Sequence, residues 1–259
     1  MTYMPRLPAG TAADWPDLAA ELDRWGEAGR VAALWWRDDD AVAATPELAR
    51  LLRLAGPAPV ALAVIPALAG PDLAEALCGA PAIAVLQHGW RHANHARSGK
   101  KSEYPQDRPA AAVAAEMASG RARLNQLFGR RALPVLVPPW NRFAPELLSA
   151  LGEVGMAALS TMAGQRPHHL PAGIAALDVH VDLVDWRGDR GFVGTGAALG
   201  RLAGWLRAQR LGMVGDAPIG ILTHHLVMDD ATAAFLDCLV ALVGNHAGAR
   251  WTDIAEHLS

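Results

Sequence analysis

Short apolar runs alternate with amphipathic stretches along most of the chain, and several of the apolar runs end in a cluster of polar residues. Asp14 to Trp25 carries a helical pattern that Gly26 and Gly29 close. Val31 to Trp36 is a continuous apolar run, as expected of a strand buried on both faces, and it ends in Arg37 and three aspartates. Thr45-Pro46-Glu47 opens a second helix, with Thr45 as N-cap and Pro46 at the first helical position, and the pattern lasts through Leu54 to Gly56. Val60 to Ile65 and Ile83 to Leu86 predict two more strands, with a helix over Asp72 to Leu77 between them. Ala96 to Pro109 is too polar and too rich in breakers for an element, and a loop of that length is usually functional or mobile.

The rhythm continues to the end of the chain. Ala110 to Phe128 is the longest helical pattern, followed by a strand over Leu133 to Val137 and the turn Pro138-Pro139-Trp140-Asn141-Arg142. Pro145 to Leu151 predicts a short helix, Met156 to Leu159 a strand, and Gln165 to Gly173 a loop with His168 and His169. Ala176 to Val181 predicts a strand leading into Asp182-Leu183-Val184-Asp185-Trp186, Gly196 to Arg210 a helix, Ile219 to Leu222 a strand and Asp230 to Val243 a helix. A last short strand is expected at Trp251-Thr252-Asp253. Strands alternating with helices and no break in composition predict one α/β domain over residues 1–259, with a mainly parallel sheet and residues 1–30 as an N-terminal helical extension.

Composition narrows the function classes. With 52% hydrophobic and 19% charged residues the chain can bury a sizeable core, and a net charge of −3 without a basic stripe gives no case for nucleic acid. The N-terminal stretch Met1 to Pro8 lacks the apolar core of a secretory signal and no stretch is long enough to span a bilayer, so a soluble, cytoplasmic protein is expected. Cys78 and Cys238 have neither metal-site nor disulfide-framework spacing and are expected to be buried free thiols.

The densest chemistry lies in Gln87-His88-Gly89-Trp90-Arg91-His92-Ala93-Asn94-His95, with three imidazoles in nine residues after an apolar run. His88 and His92 are four apart, so a helical turn would put both rings on one face, where they could converge on a metal ion. Further polar clusters follow other apolar runs: Asp38 to Asp40, Pro138 to Arg142, Asp182 to Trp186 and His224 to Asp230. Each alone has an ordinary explanation as a solvated turn or a satisfied core pair. Parallel sheets gather ligands at the carboxyl ends of their strands, so five such clusters point to one shared site.

In their order, these clusters resemble the motifs of the polysaccharide deacetylases of carbohydrate esterase family 4. The resemblance rests on Asp39-Asp40, His88-Gly89-Trp90-Arg91-His92, Pro138-Pro139-Trp140, Asp182-Leu183-Val184-Asp185-Trp186 and Ile221-Leu222-Thr223-His224, and covers about residues 31 to 254. It implies a distorted (β/α)7 barrel and metal-dependent removal of acetyl groups from N-acetylated or O-acetylated sugars. Three departures stand out: Val137 occupies the place of an arginine, Ala41 that of a glycine, and the triple aspartate leaves the register of the Asp pair open.

The residue types suit that chemistry. Asp40, His88 and His92 would hold a divalent ion, zinc being the expected one, with positions left for water and substrate. If the register slips by one, Asp39 becomes the ligand and Asp38 the base. Asp39 is otherwise the expected general base and His224 the general acid, because imidazole titrates near neutrality. The resemblance implies that Asp185 and Trp186 orient His224 and wall the pocket. Trp140, Asn141 and Trp90 are expected to line the substrate site, and His95 to touch substrate or stand behind the metal. Arg142 is the preferred replacement for the missing arginine beside Asp39, ahead of Arg37 and Arg91. Two alternatives stay open: a catalytically silent sugar-binding or regulatory protein, and a metal-dependent amidohydrolase acting on a small non-sugar amide.

Overall fold

The computed structural model describes residues 12–258 apart from Pro81, Arg166 and His168. The N-terminal stretch read above for a signal, up to residue 11, and the expected loop histidine His168 therefore lie outside the described residues. In chain order the elements are α1 (Trp15–Glu27), β1 (Ala32–Ala41), α2 (Pro46–Ala55), β2 (Val60–Val64), α3 (Pro71–Leu77), β3 (Ile83–His88), α4 (Ala110–Phe128) and β4 (Ala132–Val137). After these come α5 (Ser149–Glu153), β5 (Ala158–Leu159), β6 (Ala175–Ala176), β7 (Val179–Asp182), α6 (Thr195–Arg210), β8 (Ile219–Thr223), α7 (Asp230–Asn245) and β9 (Ala249–Trp251).

Local signals set many of these boundaries. Asp14 and Asp17 form a reciprocal capping box at the start of α1, each side chain accepting from the other's backbone N–H at 2.9 and 3.0 Å. α2 and α3 each begin on a proline, which has no N–H to leave unsatisfied in the first turn. Strands β2 and β8 are buried at every position, as expected of a sheet covered on both faces.

The chain forms two compact units. The first comprises Met1–Arg37, Pro46–Val60 and Val179–Asp253. In it β9 pairs parallel with β1, Ala32 opposite Ala249, and β7 pairs parallel with β8, Asp182 opposite Leu222. Helices α1 and α6 are joined by Trp25, whose indole donates to the Leu206 carbonyl at 3.3 Å, and by the Glu21–Arg210 ion pair at 2.7 Å. The second unit comprises Asp38–Thr45, Ala61–Asp178 and Ile254–Ser259. Its strands run in the order β6, β5, β4, β3, β2, with β3–β4, β4–β5 and β5–β6 all parallel. One core cluster of this unit holds Val113 and Met117 of α4 against Leu136, Phe143, Leu147 and Leu151.

Several expectations are corrected. The first strand does not stop at Trp36 but runs to Ala41, so all three aspartates lie within β1, and Asp38 and Asp39 are buried. The single strand expected over Ala176 to Val181 is two: β6 pairs with β5, and β7, beginning at Val179, pairs with β8. The last strand ends at Trp251 rather than beginning there. Cys78 and Cys238 are free as expected, but exposed, because Cys78 caps the end of α3 and Cys238 is on an exposed position of α7.

Candidate metal centre

The residues that follow β3 do not form the helical turn that the spacing of His88 and His92 suggested. His88 is the last residue of β3, the chain bends through Gly89 (φ 61°), and His92 is itself in the left-handed region (φ 56°). The two imidazoles meet all the same, with ring centroids 5.1 Å apart. Asp40, at the end of β1 and also left-handed (φ 72°), points its Oδ1 at both: 3.1 Å from His88 Nε2 and 3.4 Å from His92 Nε2. One ligand atom from each of these three residues lies within 4.8 Å of the others. It is the Asp40 carboxylate, of the triple aspartate, that completes this cluster.

Both imidazoles have neighbours that bear on how they could hold a cation. His88 Nδ1 is 3.0 Å from the Val137 carbonyl oxygen, which can only accept, so Nδ1 carries its hydrogen there and Nε2 is the ring atom turned towards Asp40. The register supplies this contact, since His88 and Val137 are partners across β3 and β4. The His92 ring packs against Trp140, centroids 4.4 Å apart. Burial holds the His92 imidazolium below its ordinary pKa, His88 adds to this, and Asp40 and Glu103 oppose it; the balance favours the neutral ring that a ligand must be.

The backbone around the centre is strained. Among the described residues five non-glycine residues have positive φ, and four of them are Asp40, His92, Trp140 and Asn141. A non-glycine residue held this way costs on the order of 1 kcal/mol or more, and such strain gathers at functional sites. Trp140 and Asn141 form the tight turn after β4, which begins Pro138-Pro139, and the Asn141 N–H donates to Pro138 at 2.9 Å.

Two residues that sequence reasoning missed hold the histidine loop. Glu103, fully buried in the polar stretch before α4, accepts the N–H groups of Trp90 (3.1 Å), Arg91 (2.8 Å) and Ala93 (3.4 Å). Gln87 donates to the Gly89 carbonyl at 3.1 Å and to that of Met117 in α4 at 3.2 Å. The available signal was the length of the 96–109 loop, which marks it as functional or mobile without saying which of its residues matters.

The remaining expected site residues fall as follows. Arg142 donates to the Lys101 carbonyl at 2.7 Å and among the described residues is in no ion pair, so it does not grip the aspartates. The structure gives that side chain to the 96–109 loop because the turn after β4 carries it there. Arg37, the other arginine next to the run, is fully buried. His95 is exposed and contributes its backbone N–H to Ser102 at 2.8 Å; Trp90 is half-buried, its ring beneath the Arg91 guanidinium. In the first unit, the Trp186 ring meets His224 edge-on, centroids 4.8 Å apart, and its indole donates to Asp182 rather than Asp185. Asp185 instead accepts the N–H groups of Arg187 and Gly188, closing its own turn.

Solved structures with the same architecture span most of this chain. A protein designated a polysaccharide deacetylase, from Mycobacterium smegmatis, matches at 17% identity and a TM-score of 0.65, over 98% of this chain and 94% of its own. The fold is that of the polysaccharide deacetylases. A family 4 carbohydrate esterase from Streptomyces lividans in complex with acetate matches at 17% identity and a TM-score of 0.54, over 86% of this chain and 93% of its own. A family 4 acetyl xylan esterase from Clostridium thermocellum in complex with a cobalt ion matches at 13% identity and 0.53, over 86% and 89%. No protein-family model and no curated protein matches the sequence. The deacetylase fold is the distorted (β/α)7 type that the order of motifs implied.

Proposed function

We propose that this chain is a divergent polysaccharide-deacetylase-type hydrolase that uses a divalent ion, zinc first, to remove an acetyl group from an N-acetylated or O-acetylated sugar. The observation that carries the proposal is the convergence of Asp40, His88 and His92 within 4.8 Å in a fold shared with family 4 esterases. One carboxylate and two imidazoles suit a divalent transition metal and leave positions open, as a hydrolytic centre needs. When bound there, such an ion acts as a Lewis acid towards a carbonyl and lowers the pKa of water.

The chain's own groups do the rest. The Val137 carbonyl keeps His88 in one tautomer, so its donor atom is fixed before any ligand arrives. Asp39, buried beside Asp40 in β1, takes the proton of the attacking water, and His224 returns one to the leaving nitrogen or oxygen. Both roles come from residue chemistry and motif order. Trp140, packed on His92, contributes an apolar wall and Asn141 an amide at the same strand end; Trp186 packs on His224. Among the described residues no helix is long and apolar enough to cross a membrane.

A second reading, a silent sugar-binding protein that keeps the fold, is favoured by one observation: with Val137 in place of an arginine, Arg142 is engaged at Lys101 instead. Acetate release from acetylated chito- and xylo-oligosaccharides, by the native protein, the chelator-treated protein and Asp40→Asn, tests both. Release that chelator and Asp40→Asn abolish supports the hydrolase; sugar binding without release under any metal supports the silent protein.

A further inference from the structure

We infer that Glu103 is a positioning residue of the metal centre, a buried carboxylate that shapes the Trp90–Ala93 turn and so decides where the His92 imidazole stands. The inference rests on the metal reading above and adds a residue that neither the motifs nor the donor set includes.

A four-residue spacing outside a helix does not bring two rings together by itself. After β3 the chain must reverse within four residues, and His92 must adopt a left-handed backbone that a β-substituted residue adopts at a cost. The turn leaves several backbone N–H groups pointing the same way. Both oxygens of Glu103 take them up: Oε2 accepts from Trp90, and Oε1 from Arg91 and Ala93, on both sides of His92. Bonds from N–H groups to a carboxylate are stronger than those between neutral groups, and in a buried site no water competes for them.

The fit is close on every side. A Cβ at Gly89 would collide with Glu103 Oε2 and come within 2.8 Å of the Pro139 ring, so only glycine lets the turn approach the carboxylate. The Gly89 N–H donates to the Val137 carbonyl at 3.0 Å, and the Gly89 carbonyl accepts from Gln87 at 3.1 Å. Glu103 is anchored in turn. Its own carbonyl accepts from Arg108 at 3.2 Å, and Arg108 is held by Glu116 at 2.7 Å, which ties the carboxylate to α4. Outer residues that aim a metal's ligands typically contribute 10- to 100-fold in affinity.

The test is metal binding by the full chain, stripped of metal and titrated with Zn2+ by calorimetry and with Co2+ by visible absorption. Glu103→Gln preserves size and one acceptor but turns an N–H donor towards the Trp90 N–H. It should weaken both ions by about 10- to 100-fold and shift the Co2+ bands, while Glu75→Gln, at an exposed position of α3, should leave both unchanged. The metal-free circular dichroism of each variant should match that of the parent, which separates aiming from folding. A parent that binds while Glu103→Gln binds within about threefold of it, bands unshifted, overturns the role of Glu103 and leaves the metal centre standing. A parent that takes up neither ion removes the metal centre itself. If Glu103→Gln does not fold, amide exchange on the metal-free parent decides: the Trp90 and Arg91 amides should already be protected, and free exchange there overturns the inference.

Discussion

The side chain of His88 is bonded to the backbone of Val137, Nδ1 to carbonyl oxygen at 3.0 Å, across adjacent parallel strands. Position 137 is one of the places at which this sequence departs from the deacetylase pattern, yet its contribution to the donor set comes from a main-chain atom that any residue would supply. Val137→Ala should therefore leave metal affinity within about twofold, and its cost should be that of a small core truncation, on the order of 1 kcal/mol. Parallel metal titration and chemical denaturation measure the two separately.

Binding of an ion to Asp40, His88 and His92 should stabilise the folded chain. At an ion concentration 100-fold above Kd the gain is about 2.7 kcal/mol, visible as a rise in Tm that chelator reverses. Asp40→Asn is the cleanest variant for this measurement, because asparagine tolerates the φ of 72° at that position, whereas alanine adds backbone strain. Asp40→Asn should keep its metal-free Tm and lose the metal-dependent rise.

Asp39→Asn and His224→Ala should each lower turnover by roughly 10²- to 10⁴-fold with metal affinity unchanged, as expected for groups that move protons. Near-full turnover in either variant on an acetylated sugar that the parent hydrolyses would remove that residue from its role. Arg142→Ala is expected to combine additively with Asp39→Asn, since the guanidinium is engaged at Lys101; strong non-additivity would place it with the aspartates after all.

Asp229 caps α7, accepting from the N–H and hydroxyl of Thr232, both at 2.7 Å, and from the N–H of Phe192 at 3.0 Å. Desolvation acts to raise its pKa, but these bonds to the charged form outweigh it and the folded value is lowered. A depressed carboxylate contributes stability above its unfolded pKa and loses it as pH falls through the folded value. Asp229→Ala should therefore cost about 1 kcal/mol at neutral pH, and the difference from the parent should shrink in denaturation series carried to acid.

Gly120→Ala would ordinarily stabilise a helix such as α4 by about 1 kcal/mol. Here the added methyl would collide with the Gln87 amide, which holds both the Gly89 and Met117 carbonyls. The expected sign is reversed: a lower Tm, accompanied by weaker metal binding.

What was legible in the sequence followed from how few residue types can do a given job. Asp40, His88 and His92 stand out because ion binding draws on a short list of side chains, and the alternation of apolar runs and helical patterns is enough to specify a parallel α/β fold. The end of β1 was misjudged because aspartate is a poor strand former, so a run of three read as a turn; burial inside the sheet overrides that local preference. Glu103 and Gln87 could not be found from spacing, since both act on the backbone of other residues and any sequence offers the same N–H and carbonyl groups. Arg142 was misplaced for a related reason: a long side chain after a turn has several carbonyls within reach, and Lys101 is the one it meets.

The donors and the carboxylate that shapes their loop all lie within residues 40–103, whereas His224 comes near the end of the chain. During synthesis the stretch that would carry the ion leaves the ribosome on the order of ten seconds before the expected acid. The donor set still waits for β4, whose Val137 carbonyl fixes His88, so on the metal reading no site stands ready for an ion until that strand has emerged as well.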